Sequence, residues 1–334
     1  MVIAHLRHLA ESGHEVVLRV NALETVFPMS PSFVLERPLF PGKWGTLLSS
    51  LFEKQNADLV LATIVPTALL LWVRNRGRVV YFAQDDNETA CNRLLKPLIR
   101  LLSFLVLRVC SLPTVAVSHV LASTFKKRFG TNCWVVENGI STDVFYPAPS
   151  SELITAKEGR KSVLVLSRKD PRKGFDLALK AIKQLPSYLR EQVEIWTVDE
   201  KLDIPNIKHR NFGVVDEARM RVLFSSADVF LYPSWSEGFG LMVLEAFACG
   251  CPVVTTEAVG FVRNTNALVT RVGDVASLAE KLAVALTDPQ TTSSLTQAGF
   301  ELAQRYEITG ASEQFEGIIK DILSCRTKAK RLTG

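Results

Sequence analysis

The chain of 334 residues is long enough for two domains of ordinary size, and its 47% of hydrophobic residues is ample for two cores. The 39 Lys and Arg against 34 Asp and Glu give a net charge of +5. This excess is too small to indicate a protein that binds nucleic acid, but it is compatible with phosphorylated ligands or an anionic membrane surface.

The first predicted elements are a helix over 2–12, which Gly13 ends, and a strand over 15–20. The chain opens on this amphipathic segment and not on the apolar core of a signal peptide. His5 and His8 are spaced so that they could hold a metal, but no nearby carboxylate completes a set of ligands. We therefore interpret them as part of a solvated or cofactor-free helix face. Residues 21–46, rich in Pro, Ser and large apolar side chains, predict loops that form a binding edge for an acceptor.

Two predicted strands, 58–62 and 78–83, enclose a helix over 64–73, and the second strand ends in Gln84-Asp85-Asp86. Gln84 cannot act as a base, whereas Asp85 is able to orient an acceptor hydroxyl or accept its proton. A metal site made of Asp85 and Asp86 is disfavoured because adjacent side chains on a strand point in opposite directions.

Residues 96–110 are the most hydrophobic run of the chain. Arg100 and Arg108 interrupt the run, which is shorter than the about 20 apolar residues that a bilayer span requires. We predict a helix buried behind the sheet. The alternative is an interfacial helix that rests on an anionic membrane through Lys96, Arg100 and Arg108.

Composition divides the chain into an N-terminal domain (1–147), a linker rich in Pro and Ser (148–161), a C-terminal domain (162–303), and closing helices with a basic tail (304–334) that pack back toward the first domain. The six cysteines form no C-x-x-C pair, so we expect reduced thiols in a cytosolic protein rather than disulfides or a zinc site.

A basic segment follows the first predicted strand of the C-terminal domain, which spans 162–166. It contains Arg168, Arg172 and Lys173 and leads into an amphipathic helix over 175–185. Cations before a helix N-terminus are unfavourably placed for the helix dipole unless an anion lies between them. The pattern therefore predicts a diphosphate site, and a solvated basic loop is the alternative.

The segment from Asp228 to Thr256 predicts a strand, a loop, a helix and a second strand. Glu237 lies in the loop and Glu245 lies eight positions further on, within the helix. Ligands of such units bind beyond the carboxyl ends of the strands, at the helix N-terminus. Carboxylates repel phosphate but accept hydrogen bonds from sugar hydroxyls, while the backbone amides of 238–241 are placed to face a phosphate.

The motif E-G-F-G-L-x-x-x-E that begins at Glu237, with G-x-P-V-V after it, resembles the large family of retaining GT-B glycosyltransferases (glycosyl transferases group 1, family 4-like). The N-terminal pattern H-L-A-x-x-G-H-E-V-V and the later N-G-I-x-x-x-x-F-x-P resemble the same family, so the resemblance covers nearly all of the chain. It implies an α/β fold of two Rossmann-like domains with parallel sheets, the first domain lacking its first strand and glycine-rich turn. Two departures from the family pattern are Gln84-Asp85, where a His-Asp pair is usual, and residues 258–263, where a turn glutamate is usual.

The resemblance also implies roles for particular residues. Arg168 and Lys173 would hold the diphosphate of the donor, Glu237 the hydroxyls of the donor sugar, and Glu245 the ribose. The backbone near Phe212, Gly213 and Val214 would hold the base. The remaining implied site residues are Gly238, Phe239, Gly240 and Leu241 on the donor side, and Gln84 and Asp85 on the acceptor side, with Asp85 joining Arg168, Lys173 and Glu237 as catalytic residues.

These roles imply a glycosyltransferase that moves a sugar from a nucleotide-diphosphate sugar to a hydroxyl of a glycan or lipid-linked acceptor. Retention of the anomeric configuration and bacterial-type cell-surface polysaccharide synthesis are implied as well. We expect no metal, no cofactor and no nucleic acid partner, and a cytoplasmic location with peripheral contact at the inner face of the membrane. The alternative is a catalytically degenerate GT-B protein that binds nucleotide sugar as a partner subunit.

Overall fold

The computed structural model describes residues 2–19, 34–40, 42–201, 204 and 207–333, without the side chains of residues 43, 90 and 327–333. The chain divides into two compact units. The N-terminal unit contains residues 1–139 and 308–334, and the C-terminal unit contains residues 140–307. Residue 20, the last of the predicted strand, and residues 21–33 and 41, which belong to the expected acceptor edge, lie outside the described residues.

The N-terminal unit contains a parallel sheet of four strands in the order β3-β4-β5-β6. Within the described residues, β1 and β2 pair only with each other. The elements of this unit are α1 (Val2–Glu11), β1 (Val17–Arg19), β2 (Val34–Glu36), α2 (Lys43–Phe52), β3 (Val60–Ala62), α3 (Val65–Arg74), β4 (Val79–Ala83), α4 (Asn87–Ala90), α5 (Lys96–Phe104), β5 (Thr114–Ala116), α6 (His119–Phe129), β6 (Trp134–Val135) and α14 (Ile308–Thr333). A short 3-10 helix, Arg93–Leu95, precedes α5, and a π-helical segment, Leu105–Val109, continues it.

The first helix packs against the last helix of the chain. His5 is buried, its Nδ1 lies 2.9 Å from Ser312 Oγ, and its ring stacks on Phe315 at 4.9 Å. Burial, with a smaller contribution from His8, lowers the pKa of His5 to about 4, so this ring is neutral. The interpretation of His5 as part of a solvated helix face is therefore wrong, because α14 covers that face.

The hydrophobic run of residues 96–110 differs from its prediction as a buried helix. Ser103, Val106 and Leu107 are buried, but Leu98 and Leu101 are 51% and 55% exposed. The prediction is wrong for α5 because α3 and α4 pack on one side of this helix, while no described residue covers the side that carries Leu98 and Leu101. None of the described helices is long and apolar enough to cross a bilayer.

The C-terminal unit is built on six parallel strands in the order β12-β11-β10-β7-β8-β9. Its elements are α7 (Ser151–Ala156), β7 (Lys161–Leu166), α8 (Phe175–Gln184), α9 (Ser187–Arg190), β8 (Val193–Val198), β9 (His209–Asn211), α10 (Glu217–Ser226), β10 (Val229–Tyr232), α11 (Leu241–Ala248), β11 (Val253–Thr256), β12 (Leu268–Thr270), α12 (Val275–Thr287) and α13 (Pro289–Ala303), with a 3-10 helix at Pro171–Lys173. Residues 148–161, expected as a linker, lie in this unit and include α7.

The strand order determines where ligands can enter the C-terminal unit. From β7 the chain proceeds to β8 and β9 on one side and then returns to β10, β11 and β12 on the other. The carboxyl ends of β7 and β10 therefore form the switch point of a doubly wound sheet, where ligands of such folds bind. Both faces of the sheet are covered. Val163 and Val165 belong to the buried cluster that contains residues of α8 and α12, and Phe230 packs edge to face on Phe224 of α10 at 5.0 Å.

Candidate active site

Two loops meet at the switch point, one after β7 (167–174) and one after β10 (233–240). The backbone N–H of Trp235 donates to the carbonyl of Arg172 at 2.7 Å. Gly174 lies against the second loop so closely that a Cβ on it would be 2.0 Å from the carbonyl oxygen of Pro233. Its φ of +70° also favours glycine. The two loops are thus held together by backbone contacts, independently of any charged side chain.

Glu237 is the centre of the hydrogen bonding between these loops. Its side chain is only 7% exposed, and its Oε1 accepts from Lys173 Nζ at 2.8 Å, from the Tyr232 hydroxyl at 2.6 Å and from Ser234 Oγ at 2.6 Å. Burial, and next the charge of Glu237, raise the pKa of Tyr232 well above its ordinary value, so the phenol stays protonated and donates. The structure therefore brings together the predicted residues Lys173 and Glu237, and it adds Tyr232 and Ser234.

The cations after β7 have carboxylate partners from the protein itself. The shortest nitrogen–oxygen distances are 2.6 Å for Arg168 and Asp199, 3.3 Å for Lys169 and Glu200, 2.8 Å for Arg172 and Asp170, and 2.8 Å for Lys173 and Glu237. Protein carboxylates therefore lie beside all four cations, and the diphosphate site stays a prediction. Arg168 is 45% exposed, so water screens its pair with Asp199 and a phosphate can compete for the guanidinium.

The loop after β10 leads into α11 without a side-chain cap. Its N-cap residue Gly240 has a φ of +107°, and a Cβ there would lie 2.7 Å from Val259 Cγ1. This uncapped N-terminus follows Glu237 by three residues and carries the positive end of the helix dipole. Phe239, in the same loop, packs on Phe261 at 5.1 Å. Phe261 belongs to the segment 258–263 that departs from the family pattern, and its ring contributes to the apolar packing of this loop.

Glu245 lies in α11, partly buried. Burial raises its pKa to about 7, the charge of Glu217 adds to the shift, and the charge of Arg168 opposes it. A carboxyl with a pKa near 7 can both donate to and accept from a ribose hydroxyl around neutral pH.

This shift predicts that Glu245 lowers stability as the pH rises. The pKa of Glu245 is higher in the folded chain (about 7) than in the unfolded chain (about 4.5), so between these pH values only the folded chain keeps the proton. We expect Glu245→Gln to melt close to wild type at pH 4.5 and to gain up to about 3 kcal/mol relative to it by pH 7.5, with no further gain above. Thermal melts of both proteins between pH 4.5 and 8.5 measure this, with the exposed Glu280→Gln as control. A difference in melting temperature that does not vary with pH would contradict it.

The expected base-binding segment lies at the end of β9. Gly213 donates its N–H to Asn211 Oδ1 at 3.0 Å, and its carbonyl accepts from the N–H of Asp199 at 2.8 Å. Phe212 packs edge to face on Trp196, and Val214 is 84% exposed. The structure thus connects this segment to the loop after β7 through Asp199, the partner of Arg168. The left-handed φ of +81° at Asp199 is uncommon for a residue other than glycine.

The expected acceptor-side residues, Gln84 and Asp85, follow β4 in the N-terminal unit. Gln84 is exposed, and Asp85 Oδ1 accepts from the N–H of Asp86 at 2.8 Å. Asp86 caps α4 and pairs with Arg128 at 2.8 Å. Asp86 therefore has a structural role, while Asp85 stays a candidate for binding an acceptor hydroxyl.

Tyr232, Ser234 and Asp199 were not predicted as site residues from the sequence. Ser234 had a weak signal, because a hydroxyl three residues before a loop carboxylate is within reach of it. Asp199 and Tyr232 had none, since the tyrosine reads as the last residue of an apolar strand and the aspartate lies 31 residues from Arg168.

The family model of the glycosyl transferases group 1 matches residues 151–302 of this chain. A phosphatidyl-myo-inositol mannosyltransferase of Mycobacterium leprae is 29% identical over 233 residues, which cover 65% of this chain and 61% of that protein. The lipopolysaccharide glucosyltransferase WaaG of Escherichia coli K12 is 29% identical over 169 residues, 46% of this chain and 43% of WaaG. The chain thus spans about three fifths or less of the length of these curated relatives.

Solved structures resemble the whole chain. Sucrose-phosphate synthase from Thermosynechococcus elongatus has a TM-score of 0.80 and 17% identity over 97% of this chain and 93% of that one. Anabaena HepE in complex with UDP and glucose has a TM-score of 0.75 and 17% identity over 96% of this chain and 95% of that one. At these identities the likeness shows the fold. The predicted fold of two Rossmann-like domains with parallel sheets is confirmed, and residues 151–302 match the model of the predicted family.

Proposed function

Because residues 151–302 belong to the glycosyl transferases group 1 family and the chain has the GT-B fold, we propose that this protein is a glycosyltransferase. It transfers a sugar from a nucleotide-diphosphate sugar to a hydroxyl of a glycan or lipid-linked acceptor. The observation that carries the proposal is the pairing of Lys173 with Glu237 at the switch point, where a cation for phosphate and an acceptor for hydroxyls lie 2.8 Å apart.

In this proposal the diphosphate of the donor binds between Arg168, Lys173 and the N-terminus of α11. Lys173 uses one of its three N–H donors on Glu237 and directs the others to the oxygen that leaves with the diphosphate. Arg168 exchanges Asp199 for a phosphate, which its guanidinium binds through two parallel hydrogen bonds. These positive groups stabilise the charge that develops on the leaving group, so the proposed reaction requires no metal ion.

Glu237 serves as a fixed acceptor for donor-sugar hydroxyls. All three of its hydrogen bonds go to Oε1, and no described residue donates to Oε2, which is the oxygen we assign to the sugar. Three donors on one carboxylate also weaken it as a nucleophile, so its role is positioning and electrostatic. Glu245 binds the ribose, and the segment 212–214 holds the base. Retention of the anomeric configuration is proposed from the family resemblance alone.

The acceptor side of the proposal rests on Asp85, which orients an acceptor hydroxyl or accepts its proton. The names of two relatives, a phosphatidyl-myo-inositol mannosyltransferase and a lipopolysaccharide glucosyltransferase, support a lipid-linked acceptor and a place in cell-surface glycan synthesis. Such an acceptor would bring the protein to the inner face of a membrane as a peripheral protein.

The test is a thermal-shift panel of UDP-, GDP- and dTDP-sugars on the wild-type protein and two variants. We expect one nucleotide class to raise the melting temperature of the wild type. Arg168→Ala should lose most of that rise because it removes the bidentate phosphate contact. Asp199→Asn should enlarge the rise, because it removes the carboxylate that competes for Arg168 while asparagine still tolerates the left-handed backbone.

The same panel separates the alternatives. Release of nucleoside diphosphate by the responding donor, with an acceptor extract, supports the transferase. A thermal shift without release under any acceptor points instead to a partner subunit that binds nucleotide sugar. A panel without any shift contradicts the site assignment.

A further inference from the structure

Helix α5 and the 3-10 helix before it expose an apolar face that no described residue covers. Leu94 is 88% exposed, and Leu98 and Leu101 are each more than half exposed. Spacings of four and three residues place these leucines on one side of a helix. Ser103, which is buried, lies on the opposite side, where α5 packs on α3 and α4. One side of the helix therefore packs on its own unit, and the opposite side is available to a binding partner.

The charges around this face have a single sign. Residues 89–136 contain no Asp or Glu, but they contain seven Lys and Arg. Arg93, Lys96, Arg100 and Arg108 belong to α5 and its extensions, and all four are exposed. No described carboxylate forms an ion pair with any of them, whereas Arg128, further along, pairs with Asp86. A protein surface that carries unpaired cations beside apolar side chains attracts an anionic partner.

We propose that α5 with residues 93–95 is an interfacial membrane anchor that lies in the plane of an anionic lipid bilayer. Leu94, Leu98, Leu101 and Phe104 enter the boundary between headgroups and acyl chains, and the cations contact lipid phosphates. The inference deepens the proposed function and rests on it, since the anchor would hold the enzyme beside a lipid-linked acceptor.

A bilayer fits this surface better than a protein partner does. The apolar side chains lie on a convex helix, and not in a groove that would receive a segment of another protein. The helix is nine residues, about 14 Å, long and continues into Leu105–Val109, which suits a shallow position along the surface but not a span. The cations lie at both ends of the helix and beside its apolar face. A planar anionic surface fits this arrangement because it offers negative charge to all of them at once.

The test is the binding of the full-length protein to phosphatidylcholine vesicles with and without phosphatidylglycerol, measured by co-sedimentation. We expect wild type to bind the anionic vesicles. The variant Leu94→Gln/Leu98→Gln/Leu101→Gln should lower the partition coefficient at least tenfold, because it removes the inserted apolar groups and keeps the charge. The variant Arg93→Gln/Lys96→Gln/Arg100→Gln should lose the preference for phosphatidylglycerol. We expect its partition coefficient on anionic vesicles to fall about fivefold for each cation removed.

The control is Ile154→Gln/Tyr188→Gln, which removes two exposed apolar side chains from the C-terminal unit and should bind vesicles like wild type. Absence of vesicle binding, or binding that both α5 variants retain, would overturn the anchor. So would a wild-type dimer in light scattering that the leucine variant dissociates, because α5 would then be an interface between copies of this chain. Donor-induced thermal shifts on the same proteins keep the two proposals apart. Vesicle binding without any donor shift contradicts the proposed function, and a donor shift without vesicle binding contradicts only the anchor.

Discussion

Replacing Lys173 with alanine is expected to lower kcat/KM for donor cleavage by about 10²–10³, the range found when one preorganised donor to a developing negative charge is removed. Lys173 would contact the leaving oxygen, and it forms the ion pair of Glu237 at 2.8 Å. Release of nucleoside diphosphate measures the effect. Lys180→Ala is the matched control, because that lysine pairs with Asp176 on the exposed side of α8. Activity within threefold of wild type would remove Lys173 from the mechanism.

A second variant separates chemistry from stability at Lys173. Breaking a buried pair by removing one partner costs about 3–5 kcal/mol, so Lys173→Ala should also melt several degrees lower. The double variant Lys173→Ala/Glu237→Gln removes the uncompensated carboxylate, and we expect it to recover most of the lost stability and none of the activity. Recovery of both would mean that Lys173 acts only by holding the fold together.

The meeting of Lys173 and Glu237 could be predicted from sequence because each follows the end of a buried apolar strand. Parallel strands that neighbour a switch point bring such ends together whatever the loops contain. The hydrogen bonds around Glu237 could not be predicted in the same way. Whether Tyr232 and Ser234 point at Glu237 depends on the path of a short loop, which the contact between Gly174 and Pro233 determines. Asp199 directly follows β8, the neighbour of β7, so the same rule brings it near Arg168, but nothing in the sequence marks this aspartate as the partner of Arg168.

Helix α5 shows why fold prediction from hydrophobicity has a limit. The strand β4 is apolar at every position and is buried at every position, since sheet neighbours and helices enclose it. The run from Lys96 to Cys110 is nearly as apolar, but among the residues that the structure describes only its inner side has a neighbour. The composition of a segment indicates how unfavourable its exposure to water is, but it does not indicate whether protein or lipid covers the segment. His5 shows the reverse case, a polar residue that is buried because a distant helix returns over it.

Gly174→Ala is expected to have the largest effect on stability of any single methyl group added near the site. The new Cβ would lie 2.0 Å from the carbonyl oxygen of Pro233. The Cβ is fixed to its Cα and the oxygen belongs to the backbone, so neither atom can turn away as the end of a long side chain would. The φ of +70° adds about 1–2 kcal/mol for a residue other than glycine. Relief of the clash requires the loops after β7 and β10 to separate, which stretches the hydrogen bond from Trp235 to Arg172 and the pair of Lys173 with Glu237.

We therefore expect Gly174→Ala to lose at least about 3 kcal/mol, which lowers the melting temperature of a unit of this size by about 6–12 °C. Donor binding should fall with it, because the cation and the carboxylate no longer face one ligand. Gly250→Ala is the matched control: Gly250 has a φ of +71°, but its nearest neighbour to a new Cβ is Pro147 at 3.9 Å. Gly250→Ala should lose only the about 1–2 kcal/mol of stability that the left-handed backbone costs a residue other than glycine, and it should bind the donor normally. Equal melting temperatures for the two variants would show that the loops are not locked at Gly174 and that the ion pair alone holds them together.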